Sequence, residues 1–230
     1  MRCDDSEPAR RYSLIEGDWC TKRVLVVGDV MVDRYIWGHM ERISPEAPAP
    51  VVHVAQHSQR SGAAANVAMN VAGLGAKAIG FSGNDDTGKG LEYCLQATGV
   101  VPYLRRFSSH PTTTKLRILS GKQQMLRLDT EQSTGDPREV GDSLITALEA
   151  ALADADAVAL SDYAKGCLSK EICQRIIAAA RSLEIPVLVD PKVAGLYALS
   201  GSEDHLPKPE ELSAVVGIPV KEPEALLAAG

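Results

Sequence analysis

The stretch VLVVGDVMVDRY at residues 24–35 decides the fold. It begins with four consecutive apolar residues and turns polar at Gly28 and Asp29. A continuously apolar run is typical of a strand in a parallel sheet that is covered on both faces. The same pattern recurs at residues 157–162 and 187–190, where an apolar run again ends in an acidic residue. The sequence therefore predicts several strands of one buried sheet.

Helical periodicity fills the chain between these strands. Apolar residues recur at spacings of three and four over residues 140–152 and again over residues 172–183. Short apolar strands that alternate with amphipathic helices predict a doubly wound, mostly parallel α/β sheet. In such sheets, ligands bind at the carboxyl ends of the strands, where the acidic residues lie.

Two segments break this alternation. Residues 49–54 and 112–129 are rich in β-formers and alternate polar with apolar side chains. Such half-exposed strands predict a small β lid over the active site, drawn from about residues 33–57 and 112–129, which excludes water or pairs with another subunit.

Composition indicates one globular domain. The chain has 230 residues, of which 45% are hydrophobic and 23% charged, as in ordinary globular proteins. Residues 1–21 are polar and aperiodic, which predicts a flexible leader before a domain at 22–230. The net charge of -6 argues against nucleic acid as a partner, because binding many phosphates requires an excess of Lys and Arg.

The cysteines and the hydropathy indicate a compartment. Five cysteines are odd in number, scattered and without a CxxC pair, which predicts reduced thiols rather than disulfides or a zinc site. The sequence has no apolar run of the roughly 18 residues that a membrane helix needs. We therefore expect a cytoplasmic protein without a membrane partner.

Several motifs together resemble one enzyme family. They are GDVMVDRY at 28–35, RISPEAP at 42–48, GAAANVA at 62–68, PTTTKLR at 111–117, QQMLRLD at 123–129, LSDYAKG at 160–166 and DPK at 190–192. This set resembles the PfkB, or ribokinase-like, carbohydrate kinases, and among them the bacterial heptose 7-phosphate kinases. The resemblance covers about residues 22–217.

The resemblance implies a fold and an activity. It implies a ribokinase-like sheet with a β lid, and a homodimer formed through the lid strands. It also implies an ATP- and Mg²⁺-dependent kinase that phosphorylates O1 of D-glycero-D-manno-heptose 7-phosphate, a step toward ADP-heptose for lipopolysaccharide.

The resemblance also implies which residues bind the sugar phosphate. They are Asp29, Asp33, Gly62, Asn66, Gln124 and Asp162 for the sugar, with Lys115 and Arg117 for its existing phosphate. Carboxylates accept hydroxyl hydrogen bonds, and strand alternation places Lys115 and Arg117 on one face. Simpler interpretations stay open: Asp29 as a turn residue, Asn66 on a helix that merely packs, and Lys115 as a solvated edge charge.

The ATP and metal side falls late in the chain. The resemblance assigns Lys192, Lys208 and Glu211 to it, with Glu211 acting indirectly on the metal. Lys192 is equally well explained as a surface ion-pair partner, and Glu211 as a solvated helix residue. The sequence departs from the family pattern at Ala63, where a second glycine is expected, and at Lys208, which replaces an asparagine.

The family's Gly-Ala-Gly-Asp motif, which supplies the catalytic base, does not occur in the 230 residues. The expectation is therefore a chain that by itself is inactive or nearly so. The alternative is a truncated or degenerate paralogue that binds a sugar phosphate or a partner without catalysis.

Overall fold

The structure is a computed structural model that describes residues 22–131, 137–190 and 204–205. Within these residues lie ten strands: β1 (Val24–Gly28), β2 (Val30–Ile43), β3 (Pro50–Ala63), β4 (Lys77–Gly83), β5 (Val101–Phe107), β6 (Thr114–Ser120), β7 (Gln123–Thr130), β8 (Ala157–Ser161), β9 (Val187–Asp190) and β10 (Asp204–His205). The helices are α1 (Ala64–Asn70), α2 (Asp86–Ala97), α3 (Pro137–Leu152) and α4 (Lys170–Ser182), with a 3₁₀ turn at Ala72–Leu74.

Six strands form the main sheet, in the order β10-β9-β8-β1-β4-β5. Every pairing in it is parallel, so the predicted parallel α/β sheet is confirmed. The strand that opens the sequence, β1, lies between β4 and β8 near the centre of this sheet. The predicted helices at 140–152 and 172–183 are also confirmed, as α3 and α4.

The remaining four strands form a second sheet, in the order β3-β2-β6-β7. The central pair, β2 with β6, is parallel, and both outer pairs are antiparallel. Much of β3 and β7 is exposed, which explains the polar and apolar alternation of their sequences. The predicted strands outside the main sheet are therefore confirmed.

The core lies on both faces of the main sheet. Leu25 and Val27 of β1 face one hydrophobic cluster, to which α3 and α4 contribute. Val26 faces the other cluster, which contains residues of α1 and α2. Because successive side chains of a strand point to opposite faces, a strand covered on both sides must be apolar throughout. This requirement explains the uninterrupted apolar run of β1.

The connection before β6 is fixed to the start of α2 by one aspartate. Asp85 caps α2 by accepting a hydrogen bond from the Gly88 amide at 2.7 Å. The same carboxylate accepts from the Thr112 amide at 2.8 Å and the Thr112 hydroxyl at 2.7 Å. Burial alone would raise the pKa of Asp85, but the hydrogen bonds from Thr112 and Gly88 outweigh it and lower the pKa.

Two further findings concern the helices and cysteines of the described residues. None of the helices in the described residues is long and apolar enough to cross a membrane. The cysteines that the structure describes, at positions 94, 167 and 173, are all free thiols.

Candidate active site

A single residue connects the two sheets along the chain. Strand β1 ends at Gly28 and β2 begins at Val30, so Asp29 alone separates them. The Asp29 amide donates to the Ser161 carbonyl at 3.2 Å, and the Asp29 carbonyl accepts from the Ala64 amide at 3.0 Å. The backbone of Asp29 thus joins the end of β8 to the start of α1.

The side chain of Asp29 is also fully engaged in hydrogen bonds within the protein. It is only 2% exposed, and its carboxylate accepts from three backbone amides: Tyr163 at 2.8 Å, Lys165 at 3.1 Å and Cys167 at 2.9 Å. Burial raises the pKa of Asp29 in spite of these three bonds. These contacts favour the turn-residue interpretation, and a direct contact between Asp29 and a sugar stays a prediction.

The loop that Asp29 holds, residues 162–167, lies at the carboxyl end of β8. Asp162 stabilises the turn from within, because its carboxylate accepts from the Ala164 amide at 2.8 Å. Lys165 forms an ion pair at 2.7 Å with Glu131, which follows β7. This ion pair connects the second sheet to the main sheet. No sequence signal marked Glu131, because the contact depends on the tertiary fold.

Asp33 lies on the second sheet among cations. In register, Asp33 of β2 is opposite Arg60 of β3 on one side and Lys115 of β6 on the other. The Asp33 carboxylate accepts from Arg117 Nη1 at 2.5 Å, and both side chains are about one-fifth exposed. The hydrogen bond to Asp33 raises the pKa of Arg117. The structure thus brings together Asp33, Lys115 and Arg117, all predicted from the sequence.

An aromatic ring completes this surface. The Arg117 guanidinium lies 5.3 Å from the centroid of the Tyr35 ring, and that of Arg60 lies 5.8 Å from it, both within cation–π range. We call the surface made by Asp33, Tyr35, Arg60, Lys115 and Arg117 the Asp33 face. The sequence analysis missed Arg60 and Tyr35, although counting back by twos from Gly62 would have reached Arg60.

Gly62 gives Asp33 the room that its side chain needs. A Cβ atom at Gly62 would lie 2.6 Å from Asp33 Oδ2 and 2.9 Å from Met31 Cγ, so these side chains would have to shift. The next residue, Ala63, has φ 51° and ψ −131°, a conformation that favours glycine. Glycine is the residue that the family pattern has there, so Ala63 is strained where the sequence departs from that pattern.

The other predicted sugar residues lie around this centre. Asn66 is exposed on the first turn of α1. Gln124 is exposed on β7 and lies opposite Leu119 of β6. Leu119 is four residues along β6 from Lys115, which lies opposite Asp33. Gln124 is therefore the predicted residue on the second sheet that lies farthest from Asp33.

The predicted ATP and metal residues, Lys192, Lys208 and Glu211, lie outside the described residues. Within residues 22–131, 137–190 and 204–205, no three His, Cys, Asp or Glu side chains converge to hold a metal ion.

The combination of a parallel sheet and a smaller second sheet has known counterparts. The sequence pattern described as "pfkB family carbohydrate kinase" matches residues 21–230. The chain belongs to this family. The bifunctional protein HldE of Koribacter versatilis is 45% identical over 215 residues, which cover 93% of this chain and 44% of that protein. HldE of Magnetococcus marinus is 42% identical over 222 residues, 94% of this chain and 46% of that protein.

Solved structures of sugar and sugar-phosphate kinases share the fold. Phosphofructokinase-2 from Escherichia coli has a TM-score of 0.68 at 20% identity, over 91% of this chain and 68% of that one. Arabidopsis thaliana ribokinase complexed with ribose and ATP has a TM-score of 0.65 at 20% identity, over 91% and 67%. The ribokinase-like fold is thereby confirmed. The chain spans less than half the length of the HldE relatives.

Proposed function

We propose that this chain is the sugar-binding part of an ATP-dependent kinase that acts on O1 of D-glycero-D-manno-heptose 7-phosphate. Family membership and the similarity to HldE proteins support a sugar kinase. The motifs at residues 28–35, 42–48 and 111–117, which resemble those of heptose 7-phosphate kinases, support the particular sugar.

The Asp33 face carries this proposal. It presents a carboxylate with cations beside it, close to Gly62 and to the start of α1. A phosphorylated sugar requires both kinds of group, because carboxylates accept hydrogen bonds from hydroxyls and cations bind the phosphate. Arg117 holds the Asp33 carboxylate in place. Binding of the sugar therefore costs little side-chain entropy at Asp33.

The proposed roles follow from position. Asp33 and Asn66 accept and donate hydrogen bonds at the sugar hydroxyls, and Gly62 keeps the space beside Asp33 open. Asp29 fixes residues 162–167, and through them places Asp162 at the carboxyl end of β8. Phosphoryl transfer depends mainly on such positioning and on charge stabilisation.

The reaction proposed for the family fold transfers the γ-phosphoryl group of ATP. The O1 oxygen would form a bond to phosphorus, the bond to the ADP oxygen would break, and the hydroxyl proton would pass to a base. Mg²⁺ would neutralise charge on the phosphates, with Lys192, Lys208 and Glu211 proposed on that side. Since the 230 residues lack Gly-Ala-Gly-Asp, we propose that this chain alone transfers phosphate slowly or not at all.

The test combines binding and turnover. Titration calorimetry of the purified chain with heptose 7-phosphate, and with fructose 6-phosphate as a comparison, measures the preference for the sugar. A coupled ADP-release assay with ATP and Mg²⁺ measures turnover. We expect binding of the heptose phosphate without appreciable ADP release. Absence of binding would refute the proposal, and rapid ADP release would refute the proposed inactivity.

A matched pair of variants locates the site. Asp33→Asn should weaken heptose 7-phosphate binding at least about tenfold, the effect of losing one charge-assisted hydrogen bond. Asp86→Asn changes a fully exposed carboxylate on α2 and should leave the affinity unchanged. Equal effects of the two substitutions would contradict a site at Asp33.

A second candidate is a paralogue that binds sugar phosphate without acting in catalysis. The strained Ala63, at the turn from β3 into α1, favours it. The Ala63→Gly variant tests the observation that favours this candidate, because relief of crowding should tighten binding of the sugar phosphate. If the affinity does not change, the methyl group does not crowd the sugar.

We also propose a homodimer through the second sheet. The side chains of Ile36, Leu116, Ile118, Leu126 and Leu128 share the face opposite Asp33. Leu126 and Leu128 are 50% and 48% exposed, and an apolar surface of this kind is typical of a subunit interface. Light scattering should give twice the chain mass, and Leu128→Glu should give the monomer mass.

A further inference from the structure

The charges on the Asp33 face and its continuation on β7 do not cancel. One row of residues across the second sheet reads Arg60, Asp33, Lys115 and Asp129 from β3 to β7. The neighbouring row places Arg117 beside Arg127. These six side chains carry two positive charges in excess.

Ion pairing identifies where the excess lies. Arg117 is paired with Asp33, and Arg127 is paired with Asp129 at 2.8 Å. In the part of the chain that the structure describes, no carboxylate pairs with Arg60 or with Lys115. The Arg60 guanidinium instead lies over the Tyr35 ring, and the residue is exposed. The two uncompensated cations therefore lie on either side of Asp33.

The spacing suits a small dianion. Adjacent strands are about 4.8 Å apart, so the backbones at Arg60 and Lys115 are separated by roughly twice that distance across β2. Both side chains are long enough to converge above β2. Asp33 between them does not repel an anion strongly, because its charge is neutralised by Arg117.

We propose that Arg60 and Lys115 form a clamp for the phosphate that the sugar already carries, and that Arg117 acts as a positioning residue for Asp33. This inference rests on the proposed function. It assigns the phosphate to Arg60 and Lys115, in place of the pair Lys115 and Arg117 that the resemblance implies. Arg117 is the weaker phosphate ligand of the two arginines, because binding a phosphate would cost it the bond to Asp33. Arg60 has no such bond to lose, and its planar guanidinium suits bidentate contact with phosphate.

The clamp has a consequence for specificity. An unphosphorylated sugar offers nothing to compensate two adjacent cations, whereas a phosphate monoester compensates both. The site should therefore select phosphorylated sugars over their neutral counterparts. Arg60 should govern that selection, since its side chain is held in place by the ring of Tyr35.

The experiment measures this selection in the purified chain. Titration calorimetry compares D-glycero-D-manno-heptose 7-phosphate with the same heptose lacking the phosphate. Arg60→Gln should weaken binding of the phosphorylated sugar at least about tenfold and leave binding of the neutral sugar unchanged. Lys115→Gln should do the same. Arg117→Gln should weaken binding of both sugars alike, because it removes the hydrogen bond that positions the Asp33 carboxylate.

Matched controls exclude a general effect of lost charge. Arg105→Gln on β5 and Lys122→Gln in the turn between β6 and β7 remove exposed cations away from the Asp33 face, and both should bind like the wild type. If Arg60→Gln keeps the preference of the wild type for the phosphorylated sugar, the clamp is refuted while the proposed function stands. If the wild type binds neither sugar, the proposed function and the clamp are both refuted.

Discussion

Asp29 and Asp33 lie four residues apart in the same motif, and their surroundings differ in depth and in partners. Asp29 is 2% exposed and accepts from three backbone amides of one loop. Asp33 is about one-fifth exposed and pairs with the side chain of Arg117. Buried aspartates bonded to backbone shape a fold, whereas aspartates on an open charged face can exchange partners with a ligand.

The largest expected effect tests the Asp29 side of this comparison. Asp29→Ala leaves three amides of residues 163–167 without an acceptor, at about 1–3 kcal/mol for each buried group that stays unsatisfied. We expect the free energy of unfolding to fall by about 3 kcal/mol or more, measured by urea denaturation.

The control for that experiment is Asp33→Ala. It removes a partly exposed ion pair, which contributes roughly 0–1 kcal/mol. It should therefore lower the free energy of unfolding far less than Asp29→Ala. Equal losses would remove the distinction between the two aspartates.

A third aspartate sharpens the comparison, because Asp85 resembles Asp29 in its partners and Asp33 in its exposure. Asp85→Ala removes the cap of α2 and both hydrogen bonds to Thr112. We expect a loss of about 2 kcal/mol in urea denaturation. Asp86→Ala, one residue along, removes a fully exposed acidic residue of the first turn of α2 and its ion pair, and should change the stability less.

A smaller effect is expected where the two regions join. Ala63→Gly relieves the strain of φ 51° and should stabilise the protein by about 1 kcal/mol. Ala64→Gly, at the first residue of α1, should destabilise it by about the same amount, because glycine is the poorer helix former. Thermal unfolding of both variants checks the opposite signs.

The smallest expected effect is the pH dependence of the free energy of unfolding, which should have opposite signs for Asp29 and Asp85. The pKa of Asp29 is raised from 3.8, so its contribution is fully present below 3.8 and is lost as pH rises through the folded pKa. The pKa of Asp85 is lowered from 3.8, so its contribution is present above 3.8 and is lost as pH falls.

Urea denaturation across acidic pH separates these contributions. The stability difference between wild type and Asp29→Ala should widen as the solution is acidified toward pH 3.8. The difference between wild type and Asp85→Ala should narrow below that pH. Parallel pH profiles for the two variants would contradict the opposite pKa shifts.

The sequence predicted the framework because burial on both faces imposes a continuous apolar pattern. For that reason the sequence predicted strands β1, β8 and β9. Amphipathic periodicity in turn predicted helices α3 and α4. The second sheet was recognisable from alternation, although β2 and β3 extend to Ile43 and Ala63, beyond the alternating part.

The site was less predictable because its contacts join distant parts of the chain. Asp33 meets Arg117 through a strand pairing 84 residues apart in sequence, and the Asp29 carboxylate meets amides up to 138 residues away. The family resemblance implied that Asp33 and Arg117 are ligand residues but carried no information that the two would bind each other. That Arg60 lies opposite Asp33 was shown by the register of β2 and β3.

The central place of β1 has a consequence during synthesis on the ribosome. Its partner β4 is complete at residue 83, whereas its other partner, β8, begins only at residue 157. At typical translation speeds, roughly 4 to 15 s pass between these two points. Until β8 has been synthesised, the edge of β1 that β8 covers in the folded protein has no partner strand, and unpaired edges of this kind are prone to aggregation.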